Sequence, residues 1–225
     1  MDLWAVLPVK ELAGAKTRLA ALLPAELRQA LMLAMLEDVL ATLTMARGLA
    51  GVAVVTVDSA ARRLALEFGA RVIEIGARDG HTGAVAAATR LLAAEGVPGI
   101  LTLPGDIPLV TPDEIRRLLE AHGPQPAFTI APSRDERGSN AILCSPPDAV
   151  PLRFGEDSFF PHLAAAEACG INPTVLRLPG IALDIDTPED LAAFARLPSP
   201  TRARAVLGGA IGGQLNELQR GVRAD

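Results

Sequence analysis

Two short loops of this chain carry carboxylates that packing does not ask for. In LPGDIPLV (residues 103–110) the apolar run GILTL gives way to Pro-Gly and then to Asp106. In IALDIDTPEDL (residues 181–191) Asp184 and Asp186 flank Ile185. Residues two apart in extended backbone point to the same side, so these two share a face. A lone aspartate after a strand ordinarily serves as a turn residue or a helix cap. Here each loop runs into its own Thr-Pro helix start, Thr111-Pro112-Asp113-Glu114 and Thr187-Pro188-Glu189-Asp190, and the threonine supplies the cap. The pairing therefore favours three carboxylates converging on one point. Like charges brought together without a counterion are costly. A hard divalent cation relieves that cost, and Mg²⁺ is the usual choice beside phosphates.

The stretch VLPVKELAGAKTRL (residues 6–19) carries Lys10, Lys16 and Arg18 just after the first apolar run. Each alone reads as a solvated surface cation; three near the carboxyl end of a strand suit a polyphosphate. Neither GxxxxGK[ST] nor GxGxxG is present. The expectation is a nucleotide site in which side-chain cations face a carboxylate-held metal. A third region joins RDERGSNAIL (134–143) to RFGEDSFFPHL (153–163). Gly138-Ser139-Asn140 reads as a turn into a strand. Gly155 and Ser158 stand at a helix start, where an anion could sit; an ordinary N-cap by Asp157 or Ser158 explains the same residues equally well. His162, one turn later, faces that place or is structural. His122 near a helix end reads as a complement to the dipole. His81, in ARDGHTGAV, approaches the nucleotide or lies exposed.

The elements that must position these groups alternate. Strands are expected at Trp4–Val9, Val52–Val57, Arg71–Ile75, Ile100–Leu103, Ala127–Ala131, Ala141–Cys144 and Thr174–Leu178, with the DID loop at the end of a further candidate strand. Helices are expected near 24–47, 59–69, 83–95, 112–122, 157–169 and 188–197. Such alternation predicts an α/β domain with a largely parallel sheet covered on both faces, and ligands bind outside the carboxyl ends of such strands. After Pro198 the composition shifts to Arg, Gly and Ala, so residues 198–225 read as a poorly ordered tail with at most a short helix near Gln214–Gln219.

Composition narrows the function. The net charge of −5 gives no basic footprint for nucleic acid. Cys144 and Cys169 show no metal-ligand spacing, which argues against structural zinc and fits a reducing cytoplasm. No stretch is long and apolar enough to span a bilayer, and MDLWAVLPVK lacks the pattern of a signal peptide.

The ordered set PVKxxxxAKTRL, LPGDIPL, GSNAIL, FGxxSFxxH and LDIDTPEDL resembles the CofC/FbiD guanylyltransferases of deazaflavin coenzyme F-420 biosynthesis, over residues 4–195. The resemblance implies a GT-A-like, Rossmann-related nucleotidyltransferase domain over residues 1–197, monomeric or dimeric. It implies GTP as donor, Mg²⁺ as one or two ions, and a three-carbon phospho-acid as acceptor: phosphoenolpyruvate, 2-phospho-L-lactate or 3-phospho-D-glycerate. By position, Asp106, Asp184 and Asp186 would hold the metal and, with Lys10, form the catalytic set. Lys10, Lys16 and Arg18 would meet the triphosphate. Gly80 and Thr82 would lie at the nucleotide, Thr82 standing where many relatives have asparagine. Ser139, Gly155, Ser158 and His162 would hold the acceptor. Hand-over of a labile product to the next enzyme is a further expectation. The rival readings are a sugar-phosphate or molybdenum-cofactor nucleotidyltransferase, whose GGxSxRMG loop is absent here, and a non-catalytic nucleotide binder.

Overall fold

The seven apolar runs become the seven strands of one sheet in the computed structural model, which describes residues 2–209. They are β1 (Leu3–Pro8), β2 (Leu49–Val55), β3 (Arg71–Ile73), β4 (Ile100–Thr102), β5 (Ala127–Pro132), β6 (Ser139–Ser145) and β7 (Thr174–Val175). The order across the sheet is β3-β2-β1-β4-β6-β5-β7. Neighbours are parallel except that β6 runs against both β4 and β5. The chain builds outward from β1 to β3, then returns to place β4 on the other side of β1. That reversal opens a crevice beyond the carboxyl ends of β1 and β4. Because β6 is antiparallel, its amino end, Ser139-Asn140, arrives at the same edge.

Period-two alternation divides the core. Ala5 and Leu7 of β1 and Ala141 and Leu143 of β6 face one side; Val6, Ile142 and Cys144 face the other. The first side is covered by α1 (Ala25–Met45), α2 (Ser59–Glu67), α4 (Pro112–Ala121), α6 (Pro179–Ala182) and α7 (Pro188–Arg196). The second is covered by α3 (Gly80–Ala94) and α5 (Phe159–Ala168). Both expected Thr-Pro starts form full capping boxes, Thr111 with Glu114 and Thr187 with Asp190.

Several expectations change. The helix expected near 83 begins at Gly80, so Gly80-His81-Thr82 forms the first turn of α3. The segment ahead of Asp184 is the short helix α6, not a strand. Gly180 in it lies so close to the Leu109 carbonyl that a Cβ would collide, and its N–H donates to Glu114 Oε1 at 2.7 Å. Residues 202–209 form a further helix, α8, where a poorly ordered tail was expected. Ala203 and Leu207, one turn apart, are fully buried. Asp38 on α1 accepts from the Arg202 and Ala203 N–H groups at 2.9 and 3.0 Å. A cap of this kind contributes about 1 kcal/mol. The boundary drawn at residue 197 thus falls inside packed structure, and the helix expected near 214–219 lies outside the described residues.

His122, at the C-cap of α4, is not the charged complement to the helix dipole that was expected. It is buried between Thr129 Oγ1 (2.9 Å) and Ser145 Oγ (2.6 Å), and burial pushes its pKa down to about 4, so the ring is uncharged at neutral pH. Among the described residues, no helix is long and apolar enough to cross a membrane.

Candidate active site

Two clefts, of about 750 and 760 Å³, open at the edge where β1 and β4 end, and they share Lys10, Gly80, His81 and Asp186. One holds the loop after β1 together with Pro104-Gly105-Asp106. The other holds Arg134, Arg137, Asn140, Phe154, Gly155 and Asp184.

Lys16 sits between the acidic loops. Its backbone is left-handed (φ 53°, ψ 42°) and leads into a 3₁₀ turn at Thr17–Leu19. Non-glycine residues seldom adopt this conformation, and when they do a functional constraint is a frequent cause. The Lys16 side chain is 4% exposed, and its ammonium donates to Asp106 Oδ2 and, at 2.6 Å, to Asp186 Oδ1. Burial alone would lower its pKa; the two carboxylates more than offset this and hold it above the ordinary value. The other oxygen of Asp106, Oδ1, is buried with no hydrogen-bond partner. The two acidic loops are also tied by backbone, the Ile185 N–H donating to the Asp106 carbonyl at 3.1 Å.

Asp184 is placed differently. Its Oδ1 accepts from Asn140 Nδ2 at 2.9 Å, and the same amide donates to the Ile181 carbonyl at 3.0 Å. Burial, followed by the charge of Asp106, raises its pKa to about 6. Among the described residues, no group of three or more His, Cys, Asp or Glu side chains could hold a metal ion. Asp184 nonetheless lies near enough to Asp106 and Asp186 for both charges to raise its pKa. Asp106 and Asp186 converge on an ammonium, while the Asn140 amide holds Asp184. Lys16, expected at the triphosphate, is their counterion in this structure.

The remaining predicted residues divide. Lys10 is exposed and lines both clefts; Gly80 does too, at φ +74°, a conformation that favours glycine. Arg18 is exposed in the cleft of Arg134, 3.7 Å from Glu156. Gly155 lines that cleft as well. Thr82 is bonded to Phe154, 72 positions away. Ser139, Ser158 and His162 lie behind the cleft wall, at most 9% exposed. The Arg153 N–H donates to His162 Nε2 at 2.9 Å, which leaves Nδ1 to donate to Ser139 Oγ at 2.8 Å. Ser158 Oγ is 3.3 Å from Ser139 Oγ and makes no capping bond to α5, while Asp157 pairs with Arg137 at 2.5 Å. His162, expected at the acceptor, supports Ser139 from within the core in this structure.

Sequence reasoning did not single out Asn140, Arg134 or Arg137. The two arginines flank one turn in RDERGS, and their number in so short a loop was the only available clue. His81, left undecided there, is in the site. Burial pushes its pKa down to about 4, with Asp106 opposing and Lys10 adding to the shift. Burial, then His81, takes His162 down to about 4 as well.

These values predict a pH dependence of stability. A histidine neutral to pH about 4 when folded but titrating near pH 6.5 when unfolded binds fewer protons in the folded state. Its contribution is present above pH 6.5 and is lost as pH falls toward 4. Asp184 and Asp38, raised mainly by burial, oppose this. The three histidines, each held down to about 4, set the expected direction, so the denaturant midpoint should drop between pH 7.5 and 4.5. His122→Gln, outside the site, should flatten that slope; a flat wild-type profile would contradict the assignment.

Residues 3–207 match the family described as guanylyl transferase CofC like. The chain belongs to this family. Similar proteins include the phosphoenolpyruvate guanylyltransferase of Rubrobacter xylanophilus, 42% identical over 195 residues, covering 85% of this chain and 93% of that one. The 3-phospho-D-glycerate guanylyltransferase of Colwellia psychrerythraea is 36% identical over 195 residues, covering 87% and 92%. The fold resembles that of a cytidylyltransferase from Leptospira borgpetersenii (TM-score 0.60, 15% identity, 97% of each chain). This CofC-like chain is therefore a nucleotidyltransferase by family, on a fold shared with other nucleotidyltransferases.

Proposed function

We propose that this CofC-like protein transfers the guanylyl group of GTP to the phosphate of a three-carbon phospho-acid, in the deazaflavin coenzyme F-420 pathway of the cytoplasm. An oxygen of the acceptor phosphate bonds to the α-phosphorus of GTP. The bond from that phosphorus to the α–β bridging oxygen breaks, and pyrophosphate leaves. The attacking phosphate monoester is already largely dianionic near pH 7, its second pKa being about 6, so no general base is required. His81, neutral with a pKa of about 4, is poorly suited to be one. Alignment and charge neutralisation are what the protein must supply.

The observation that carries the reading is the Lys16 ammonium held between Asp106 and Asp186 at the mouth of the crevice. This is a cation site built from hard oxygens beside a loop of further cations. Lys10 and Lys16 are assigned to the triphosphate. Arg18, Arg134, Arg137 and Gly155 are assigned to the acceptor, whose phosphate and carboxylate need cationic partners. The residues also suit Mg²⁺. Asp106 has a buried, unpartnered oxygen, and Mg²⁺ is usually bound through one or two carboxylates plus substrate phosphates, not by an all-protein cage. Asp106 and Asp186 would hold it, and when bound it supplies charge neutralisation at the phosphates.

The test is pyrophosphate release with each of the four common NTPs against the three phospho-acids. Phosphoenolpyruvate is the first acceptor to try, because the relative at 42% identity is named for it. Release confined to GTP and dependent on a three-carbon phospho-acid is expected. Release with CTP and a sugar phosphate, or none with any pair, overturns the reading. A labile product would favour direct hand-over to the next enzyme.

A further inference from the structure

We propose that Thr82 is a positioning residue for the acceptor loop (residues 153–158), and not a nucleotide contact. The inference rests on the guanylyltransferase reading above. The Phe154 N–H donates to Thr82 Oγ1 at 2.9 Å, and that hydroxyl is 3.2 Å from the Phe154 carbonyl, to which it donates in turn. A threonine hydroxyl has one hydrogen. Spent on Phe154, it is not available to a ribose or a base.

The adjacent residue is held in the same way by a second helix. The Arg153 N–H donates to His162 Nε2 at 2.9 Å. Two consecutive backbone N–H groups of the loop are therefore accepted by side chains from two helices, α3 and α5. The Phe154 ring lies between the two histidines, its centroid 4.3 Å from that of His81 and 5.1 Å from that of His162. Gly155, Glu156 and Asp157 follow directly and line the cleft assigned to the acceptor. Gly80 and His81, the residues just before Thr82, border both clefts. Thr82 thus fastens the acceptor wall to the helix turn on which the nucleotide half is built. A position that matches a nucleotide contact by sequence is, in this chain, a hinge pin between the two substrates' clefts.

The test compares Thr82→Val, which removes the hydroxyl, with Thr82→Ser, which keeps it. With wild type active in the assay above, Thr82→Val should raise the acceptor KM about tenfold, the scale of a lost hydrogen-bond pair, with the GTP KM within about twofold. Thr82→Ser should return the acceptor KM close to that of wild type. In ligand-free protein, amide exchange at Phe154 should be faster in Thr82→Val than in wild type or Thr82→Ser. This readout does not depend on which substrates the enzyme uses, so it separates failure of the inference from failure of the functional reading. Should Thr82→Val not fold, Thr82→Ala carries the same expectations. A rise in the GTP KM with the acceptor KM unmoved, or unchanged exchange at Phe154, overturns the proposal.

Discussion

Asp106→Asn should lower guanylyl transfer by about a thousandfold or more while leaving the fold in place. The substitution keeps the shape of the side chain and removes its charge. Two consequences follow from the geometry. The Lys16 ammonium loses one of its two carboxylate partners, and the buried, unpartnered oxygen of Asp106 becomes a poor ligand for a divalent cation. Losing one element that stabilises transition-state charge typically costs 10²–10³-fold, and a weakened metal site adds to that. The backbone tie from the Ile185 N–H to the Asp106 carbonyl does not involve the side chain, and Lys16 keeps Asp186 as a partner, so the melting temperature should fall while the transition stays cooperative. Single-turnover measurement of GMP transfer, with circular dichroism as the control for folding, decides the matter. Activity within tenfold of wild type would remove Asp106 from the machinery.

Lys16→Met should be nearly as damaging, by roughly 10²–10³-fold, for a different reason. Lys16 is 90 positions from Asp106 and 170 from Asp186 in sequence, yet it is the only side chain that pairs with both among the described residues. Without it two carboxylates face each other uncompensated, and removing one partner from a buried ionic cluster generally leaves the others destabilised. Lys16→Arg should not rescue activity, because a planar fork cannot take the place of a compact ammonium between two oxygens. A second readout needs no turnover. Added Mg²⁺ should raise the melting temperature of Lys16→Met more than that of wild type, since the divalent ion no longer competes with a resident ammonium. Equal shifts in both proteins would show that Lys16 and the metal do not share a site.

The local elements were legible because their causes are local. The Thr-Pro capping boxes at Thr111 and Thr187 form as their four-residue signatures require, and the apolar runs became strands with errors mainly at their ends. Where tertiary contacts supplied the cap or the partner, the sequence misled. Residues 202–209 carry a weak pattern, and their helix begins where Asp38, more than 160 positions earlier, accepts the first N–H groups. His122 looked like a helix-end cation because nothing nearby in sequence indicates that Thr129 and Ser145 will enclose it.

By itself, the sequence determined the α/β architecture, the family, and the acidic and basic residue types that reach the crevice. These depend on side-chain periodicity, short capping motifs and the rule that loops at the carboxyl ends of parallel strands face a ligand. Only the tertiary structure decided which charge meets which. It joined Lys16 to Asp106 and Asp186, gave Asp184 to Asn140, set His162 behind Ser139 and turned Thr82 toward Phe154. Hydrogen bonds and ion pairs act over a few ångströms through space, and strand order, above all the reversed β6, sets which distant segments come within that range.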